Sequence, residues 1–220
     1  MPSTALGIVL GVLVGLRHAF EPDHLTAVST LVSETHGARQ GALLGVLWGT
    51  GHTVSLVAVG LILALVGATL PARAGNAFEL CVAAMLVVLG VRAMAIAVRG
   101  GRADRSGDHR HGHGHGHGHR HAATGRRRWR PFIVGLVHGL AGSGALTALV
   151  FAQLSGAGAR IVYIVLFGAG SIAGMAIASG VAGATLQLVV RSDRMRRDIG
   201  LATGTLSIAV GVLWGVPLVS

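Results

Sequence analysis

The hydrophobic pattern of the chain is a series of long apolar runs separated by short, arginine-rich polar segments. About 20 mostly apolar residues in a helix cross a hydrocarbon core about 30 Å thick. Six runs reach or approach that length, so the pattern predicts an all-α integral membrane protein with six transmembrane helices. The predicted helices cover residues 5–31, 41–70, 77–98, 131–154, 160–190 and 199–219.

The second and fifth runs are about 30 residues long, which exceeds the bilayer thickness at 1.5 Å per residue. We therefore expect each of these helices to tilt or to break. Gly49 and Gly51 are the candidate break points in the second run, and Gly168 and Gly170 in the fifth.

Composition agrees with a membrane protein. Of 220 residues, 52% are hydrophobic and only 12% are charged, well below the roughly 25% typical of soluble domains. All 18 basic residues are arginine, and without a lysine the chain lacks a Walker P-loop. The single cysteine, Cys81, excludes a disulfide within the chain.

The formal charge of +10 lies mostly in loops, as the positive-inside rule requires, and does not indicate nucleic-acid binding. Arg39 and the arginine-rich segments 99–130 and 191–197 fall on one side of the six helices, against Arg73 and Arg160 on the other. This distribution predicts a bacterial cytoplasmic (inner) membrane protein with both termini outside and the central loop in the cytoplasm.

The two halves of the chain resemble each other. Residues 15–18, Gly-Leu-Arg-His, are echoed by 135–138, and residues 47–51 by 166–170, at an offset of about 120. Three crossings per half invert the second copy, which is the plan of many secondary transporters. The predicted units are a first three-helix repeat at 1–98, a cytoplasmic His/Arg-rich loop at 99–130 and a second three-helix repeat at 131–220.

Several ionisable residues lie within the first apolar run, between Arg17 and His24. An ionised side chain at mid-bilayer costs about 2.5 to 3.5 kcal/mol on insertion scales, so each needs a partner or a function. An ion pair between Arg17 and Glu21, four residues apart on a helix, would account for those two. It leaves His18 and Asp23 unexplained.

Pro22 is expected to open this helix, because proline has no N–H for the carbonyl of His18 and its ring clashes there. On a straight helix His18, Asp23 and His24 would point in different directions. Unwinding at Pro22 would let them converge on one ion. Imidazole with carboxylate suits nickel, cobalt or zinc better than magnesium or calcium.

Further histidines extend this interpretation. His52 and His138 lie in apolar runs, where a lone histidine is usually a hydrogen-bonded packing residue, but His138 takes the place of His18 in the second half. We expect both to line an ion pathway. The central loop alternates histidine with glycine and is expected to be unstructured and able to wrap metal, with solvated filler as the alternative. Its histidines are His109, His111, His113, His115, His117, His119 and His121.

The segment His18–His24 resembles the hallmark helix of the nickel/cobalt permeases, His-Ala-x-Asp-x-Asp-His, with Glu21 in place of the first aspartate. Residues 17–25, 48–53 and 138–144 are most similar to the smaller urease-accessory, UreH-like branch of that superfamily. The resemblance implies that His18, Asp23 and His24 select the metal. The larger permeases have eight helices and a second acidic motif, whereas residues 141–145 contain no acid.

These features predict a secondary transporter of nickel or cobalt, with zinc less favoured, that has no prosthetic group and is not an enzyme. Uptake is favoured over efflux because an inside-negative potential of 100 mV contributes about 4.6 kcal/mol for a dication. The predicted partners are membrane lipid, the divalent ion, and cytoplasmic nickel chaperones or nickel enzymes. The predicted metal residues of the membrane region are His18, Glu21, Asp23, His24, His52 and His138.

An efflux permease remains the main alternative, and two distant classes also remain open. Ser143, in an Ala-Gly-Ser-Gly segment, resembles the nucleophile of an intramembrane serine protease, although residues 199–219 contain no histidine to serve as its base. His18, His52 and His138 could alternatively be the axial ligands of haem in a membrane electron carrier.

Overall fold

The computed structural model describes residues 2–33, 35, 37–66, 71–105, 124–140 and 157–219. These residues form helices joined by short turns, which confirms the predicted all-α fold. The helices are α1 (Pro2–His18), α2 (Pro22–Val32), α3 (Ala38–Val66), α4 (Ala72–Arg105), α5 (Thr124–Leu140), α6 (Ala157–Val189) and α7 (Asp193–Val219).

Four of these helices, α3, α4, α6 and α7, are long and apolar enough to cross a membrane, and Val9–His18 of α1 is a shorter apolar helix. Their outer faces carry large aliphatic side chains, among them Leu188 at 76% and Leu213 at 71% exposed. A surface of this kind is stable against lipid tails and not against water. The described helices therefore form a membrane protein.

The first predicted helix, 5–31, is wrong as a single element. α1 ends at His18, and α2 begins at Pro22 after a turn in which the Glu21 N–H donates to the His18 carbonyl over 3.0 Å. Glu21 is the N-cap residue of α2 and has an extended backbone, with φ −65° and ψ 150°. Pro22 occupies the first helical position, where its missing N–H costs nothing. The break expected at this proline is confirmed.

Helix packing rests on close backbone contacts at glycine. α1 packs against α6, α3 packs against both α5 and α6, and α4 packs against α7. Gly15 of α1 lies against the backbone carbonyl of Phe167 in α6, and Gly135 of α5 lies against the carbonyl of Trp48 in α3. A side chain at either glycine would overlap that carbonyl. Small residues let helices approach in this way where lipid supplies no hydrophobic drive for association.

The glycines expected to break the second and fifth helices do not do so, because α3 and α6 are continuous through Gly49, Gly51, Gly168 and Gly170. Each of the four is a packing position instead. Gly51 lies against the carbonyl of Phe132 in α5, and Gly170 against the carbonyl of Val12 in α1. Glycine spacing alone does not distinguish a break from a contact, since the packing partner lies elsewhere in the chain.

The helices extend into the segment 99–130 that was predicted to be a loop, because α4 continues to Arg105 and α5 begins at Thr124. The loop histidines, His109 to His121, lie outside the described residues. Residues 141–156 lie outside them as well, and with these Ser143 and most of the fourth predicted transmembrane helix.

Candidate metal site

The helix break brings the chemistry of the first motif together. His18 is the last residue of α1, and Asp23 and His24 lie in the first turn of α2. His52 of α3 and His138 of α5 complete a cluster in which all five side chains are buried. α3 and α5 approach closely enough for this because Gly135 and its neighbours place one backbone directly on the other.

The imidazole rings of the cluster contact one another. Ring centroids lie 4.4 Å apart for His18 and His24, 4.2 Å for His24 and His138, and 5.1 Å for His18 and His52. The Nε2 atoms of His18 and His52 are 3.1 Å apart. Two nitrogens at this distance either share one proton in a hydrogen bond or face a common cation.

Carboxylate groups form hydrogen bonds or ion pairs with three of the four imidazole rings. Asp23 accepts hydrogen bonds through both of its oxygens, at 3.0 Å from His24 Nδ1 and at 2.8 Å from His138 Nε2. The partly exposed Glu21 carboxylate lies 3.0 Å from His18 Nδ1. Such contacts fix which ring nitrogen carries the proton and leave the opposite nitrogen free to bind an ion.

The alternative considered for Arg17 and Glu21, an ion pair between them, is not formed. Glu21 pairs with His18, and the Arg17 side chain is exposed. The physical reason is the helix break: α1 ends at His18, so Glu21 does not share a helical face with Arg17. The carboxylate turns inward to the cluster instead.

Several buried nitrogens of the cluster lack a hydrogen-bond partner among the described residues: His24 Nε2, His52 Nδ1, His138 Nδ1 and the indole Nε1 of Trp48. A buried unpaired donor or acceptor costs about 1 to 3 kcal/mol. The imidazole nitrogens among them are ready ligands for a metal ion.

Two donor sets within the cluster could each hold a metal ion, with donor atoms within 4.8 Å of one another. One consists of His18, His24 and His52, and the other of Asp23, His24 and His138. The structure thus brings together five of the six residues predicted for the membrane region. Glu21 contacts the cluster through His18 and belongs to neither set.

Two aromatic rings border the cluster, and the sequence patterns assigned no role to either of them. The Trp48 ring lies 5.5 Å from His24 and 5.6 Å from His138, and Phe167 lies 5.5 Å from His18. Both are buried and wall the site with apolar surface. One indication of a shared role was present in the sequence: Trp48 and Phe167 occupy equivalent positions in the echoed segments 47–51 and 166–170.

The tight ring contacts disfavour haem. A macrocycle needs a flat slot with its axial histidines on opposite faces, whereas the facing nitrogens of His18 and His52 are only 3.1 Å apart. The protease alternative rests on Ser143, which lies outside the described residues.

The urease accessory protein UreH of Bacillus sp. (strain TB-90) is 30% identical to this chain over 205 residues, which cover 93% of the chain and 88% of that protein. The chain belongs to the UreH-like branch of the nickel/cobalt permease superfamily. The family resemblance inferred from the motif His18–His24 is thereby confirmed. No protein-family model and no solved structure matches this UreH-like chain.

Proposed function

We propose that this UreH-like protein is a secondary transporter that carries nickel or cobalt into the cell across the bacterial cytoplasmic membrane. The observation that carries the proposal is the buried cluster of four imidazoles and a carboxylate at the α1–α2 break. The relative is named a urease accessory protein, and urease is a nickel enzyme, which favours nickel as the cargo.

The spacing of the facing nitrogens suits a first-row transition metal. Two nitrogens each about 2.1 Å from one ion are about 3.0 Å apart at a right angle and about 3.4 Å apart at the tetrahedral angle. His18 Nε2 and His52 Nε2 lie 3.1 Å apart, between these values. The pair could therefore close on an ion with little rearrangement.

The carboxylates orient the rings toward such an ion. Because Glu21 and Asp23 accept from the Nδ1 atoms of His18 and His24, the Nε2 atoms of both rings remain for the metal. With His52 they form a neutral, nitrogen-rich ligand set, which favours nickel, cobalt or zinc over magnesium. Glu21 acts in this scheme as an orienting group and not as a ligand.

Pseudo-symmetric packing supports the two inverted three-helix repeats, 1–98 and 131–220. Contacts of α1 with α6 recur between α5 and α3 at equivalent positions. The matching contacts are Gly15 with Phe167, Gly135 with Trp48, Gly170 with Val12, and Gly51 with Phe132. In transporters of this plan the halves rock about a site near the midplane, and we propose that depth for the cluster.

The arginine distribution orients the protein with both termini outside and residues 99–130 in the cytoplasm. In this orientation the membrane potential drives a dication inward. The loop histidines would then meet the ion as it leaves and pass it to cytoplasmic nickel chaperones or nickel enzymes. No catalytic step is required of the protein.

Radioactive nickel accumulation tests the proposal in cells that lack their own nickel uptake. Expression of the protein is expected to raise accumulation, and His18→Ala is expected to abolish the gain at an equal amount of protein in the membrane. Leu25→Ala is the matched control, since Leu25 is close in sequence but 43% exposed. Lower accumulation on expression would establish efflux, and normal transport by His18→Ala would remove the cluster from the pathway.

A further inference from the structure

We infer that the cluster contains two overlapping ion stations that share His24, and that the cargo passes from one to the other during transport. The imidazole station is His18, His24 and His52, and the carboxylate station is Asp23, His24 and His138. The inference rests on the proposed transport function and adds to it the route of the ion within the buried site.

His24 is the residue common to the two stations. Its ring centroid is 4.4 Å from that of His18, 5.2 Å from that of His52 and 4.2 Å from that of His138. The ring centroids of His52 and His138 are 6.0 Å apart. Both stations therefore use the same imidazole ring.

The two nitrogens of His24 divide between the stations. Nδ1 lies 3.0 Å from Asp23 Oδ1 and so belongs to the carboxylate station. Nε2 has no hydrogen-bond partner among the described residues and is the atom left for His18 and His52. For the transfer the ion leaves Nε2 and binds Nδ1, and the proton that Nδ1 donates to Asp23 is released and taken up by the vacated Nε2, so that His24 stays neutral.

The stations differ in charge and cannot both be filled. The imidazole station supplies three neutral rings, whereas the carboxylate station supplies one negative charge. Two dications separated by a single buried ring would repel strongly, because the surroundings screen charge poorly. The protein therefore holds one ion, which occupies the stations in turn.

The stations also differ in which half of the protein builds them. All three residues of the imidazole station lie within 1–98, on α1, α2 and α3. The carboxylate station needs the second half, because His138 is on α5. Movement of α5 would assemble or separate the carboxylate station, because His138 is its only ligand from the second half. This couples the position of the ion to the conformation of the protein.

The test uses the full-length protein with the seven loop histidines from His109 to His121 replaced by asparagine, so that the loop does not compete for metal. The protein is purified with a tag that contains no histidine. Nickel binding is measured by equilibrium dialysis, and cobalt absorption spectra report the ligand set. Nickel uptake is measured in proteoliposomes, and thermal melting confirms that each variant is folded.

Each single variant is expected to keep one station and to lose transport. His52→Ala binds one nickel through the carboxylate station, and His138→Ala binds one through the imidazole station, both with affinity reduced by no more than tenfold. Their cobalt spectra differ, and uptake falls at least tenfold in both. His24→Ala and the double variant of His52 and His138 bind no nickel.

Two results would contradict transfer of the ion between the stations without contradicting nickel transport. One is complete loss of binding in a folded His52→Ala or His138→Ala protein, which would mean a single site. The other is uptake by either variant at the rate of the unsubstituted protein. Failure of the unsubstituted protein to transport nickel or cobalt is a different outcome, because it overturns the proposed function and, with it, the transfer between stations.

Discussion

Asp23→Asn is the sharpest single test of the cluster, because it keeps the shape of the side chain and removes its charge. Asp23 accepts two hydrogen bonds, from His24 Nδ1 and from His138 Nε2. The asparagine amide offers one acceptor oxygen and one donor NH2 group. One of the two imidazole N–H groups then faces a donor and must take the other tautomer.

The size of the effect follows from these two contacts. A hydrogen bond to a charged group contributes about 1.5 to 3 kcal/mol, against about 1 kcal/mol for a neutral pair. Loss of the outer partner of a metal-binding histidine typically weakens metal affinity by about 10- to 100-fold. That range corresponds to about 1.4 to 2.8 kcal/mol. Binding should weaken without vanishing, since His18 and His52 remain.

Nickel titration of the purified protein without loop histidines measures this change. Asp23→Asn is expected to bind 10- to 100-fold more weakly and to lose uptake in proteoliposomes. Glu79→Gln is the matched control, because it removes one negative charge from an exposed position on α4. Affinity of Asp23→Asn within twofold of the control would refute the role of the carboxylate in holding the rings.

Two further predictions concern packing and the loop. Gly135→Val places side-chain atoms against the Trp48 carbonyl and is expected to cost about 1 to 3 kcal/mol of stability, measured as a lower melting temperature in detergent. Gly158→Val is the control, because no atom lies within 4 Å of a Cβ at that position, and it is expected to melt like the unsubstituted protein. Deletion of residues 109–121 is expected to change the apparent affinity of uptake and to spare its maximum rate; complete loss of uptake would place the loop in the pathway.

The helix break could be predicted from sequence because its cause is local. Pro22 removes an N–H and clashes with the preceding turn wherever the rest of the chain lies. Gly49 and Gly168 carried no such information, because a glycine within a helix permits both a kink and a close contact. Only the approach of α3 to α6 decides between these outcomes, and that approach depends on residues more than 100 positions apart.

The membership of the cluster could likewise be predicted, since histidine and aspartate in an apolar run need a partner or a function. The hydrogen-bonded pairs within the cluster could not be predicted. Helical spacing favoured Arg17 as the partner of Glu21, whereas the break gives Glu21 to His18. The bridging of His24 and His138 by Asp23 requires α5 to bring His138 within hydrogen-bond distance of Asp23, which no local pattern encodes.

The glycine contacts of the two halves of this protein match more closely than the side chains that the halves contribute to the site. Gly15 and Gly135 make equivalent contacts, yet the first half contributes four of the five cluster side chains and the second half only His138. At the position equivalent to His52 the second half has Ser171, which is buried and cannot replace an imidazole ligand. In the proposed transport cycle, movement of one half against the other would change the surroundings of the ion, because the two halves contribute unequal ligands. Unequal ligands would give the ion different affinities in the two conformations, and a ligand shifts a conformational equilibrium only through such a difference.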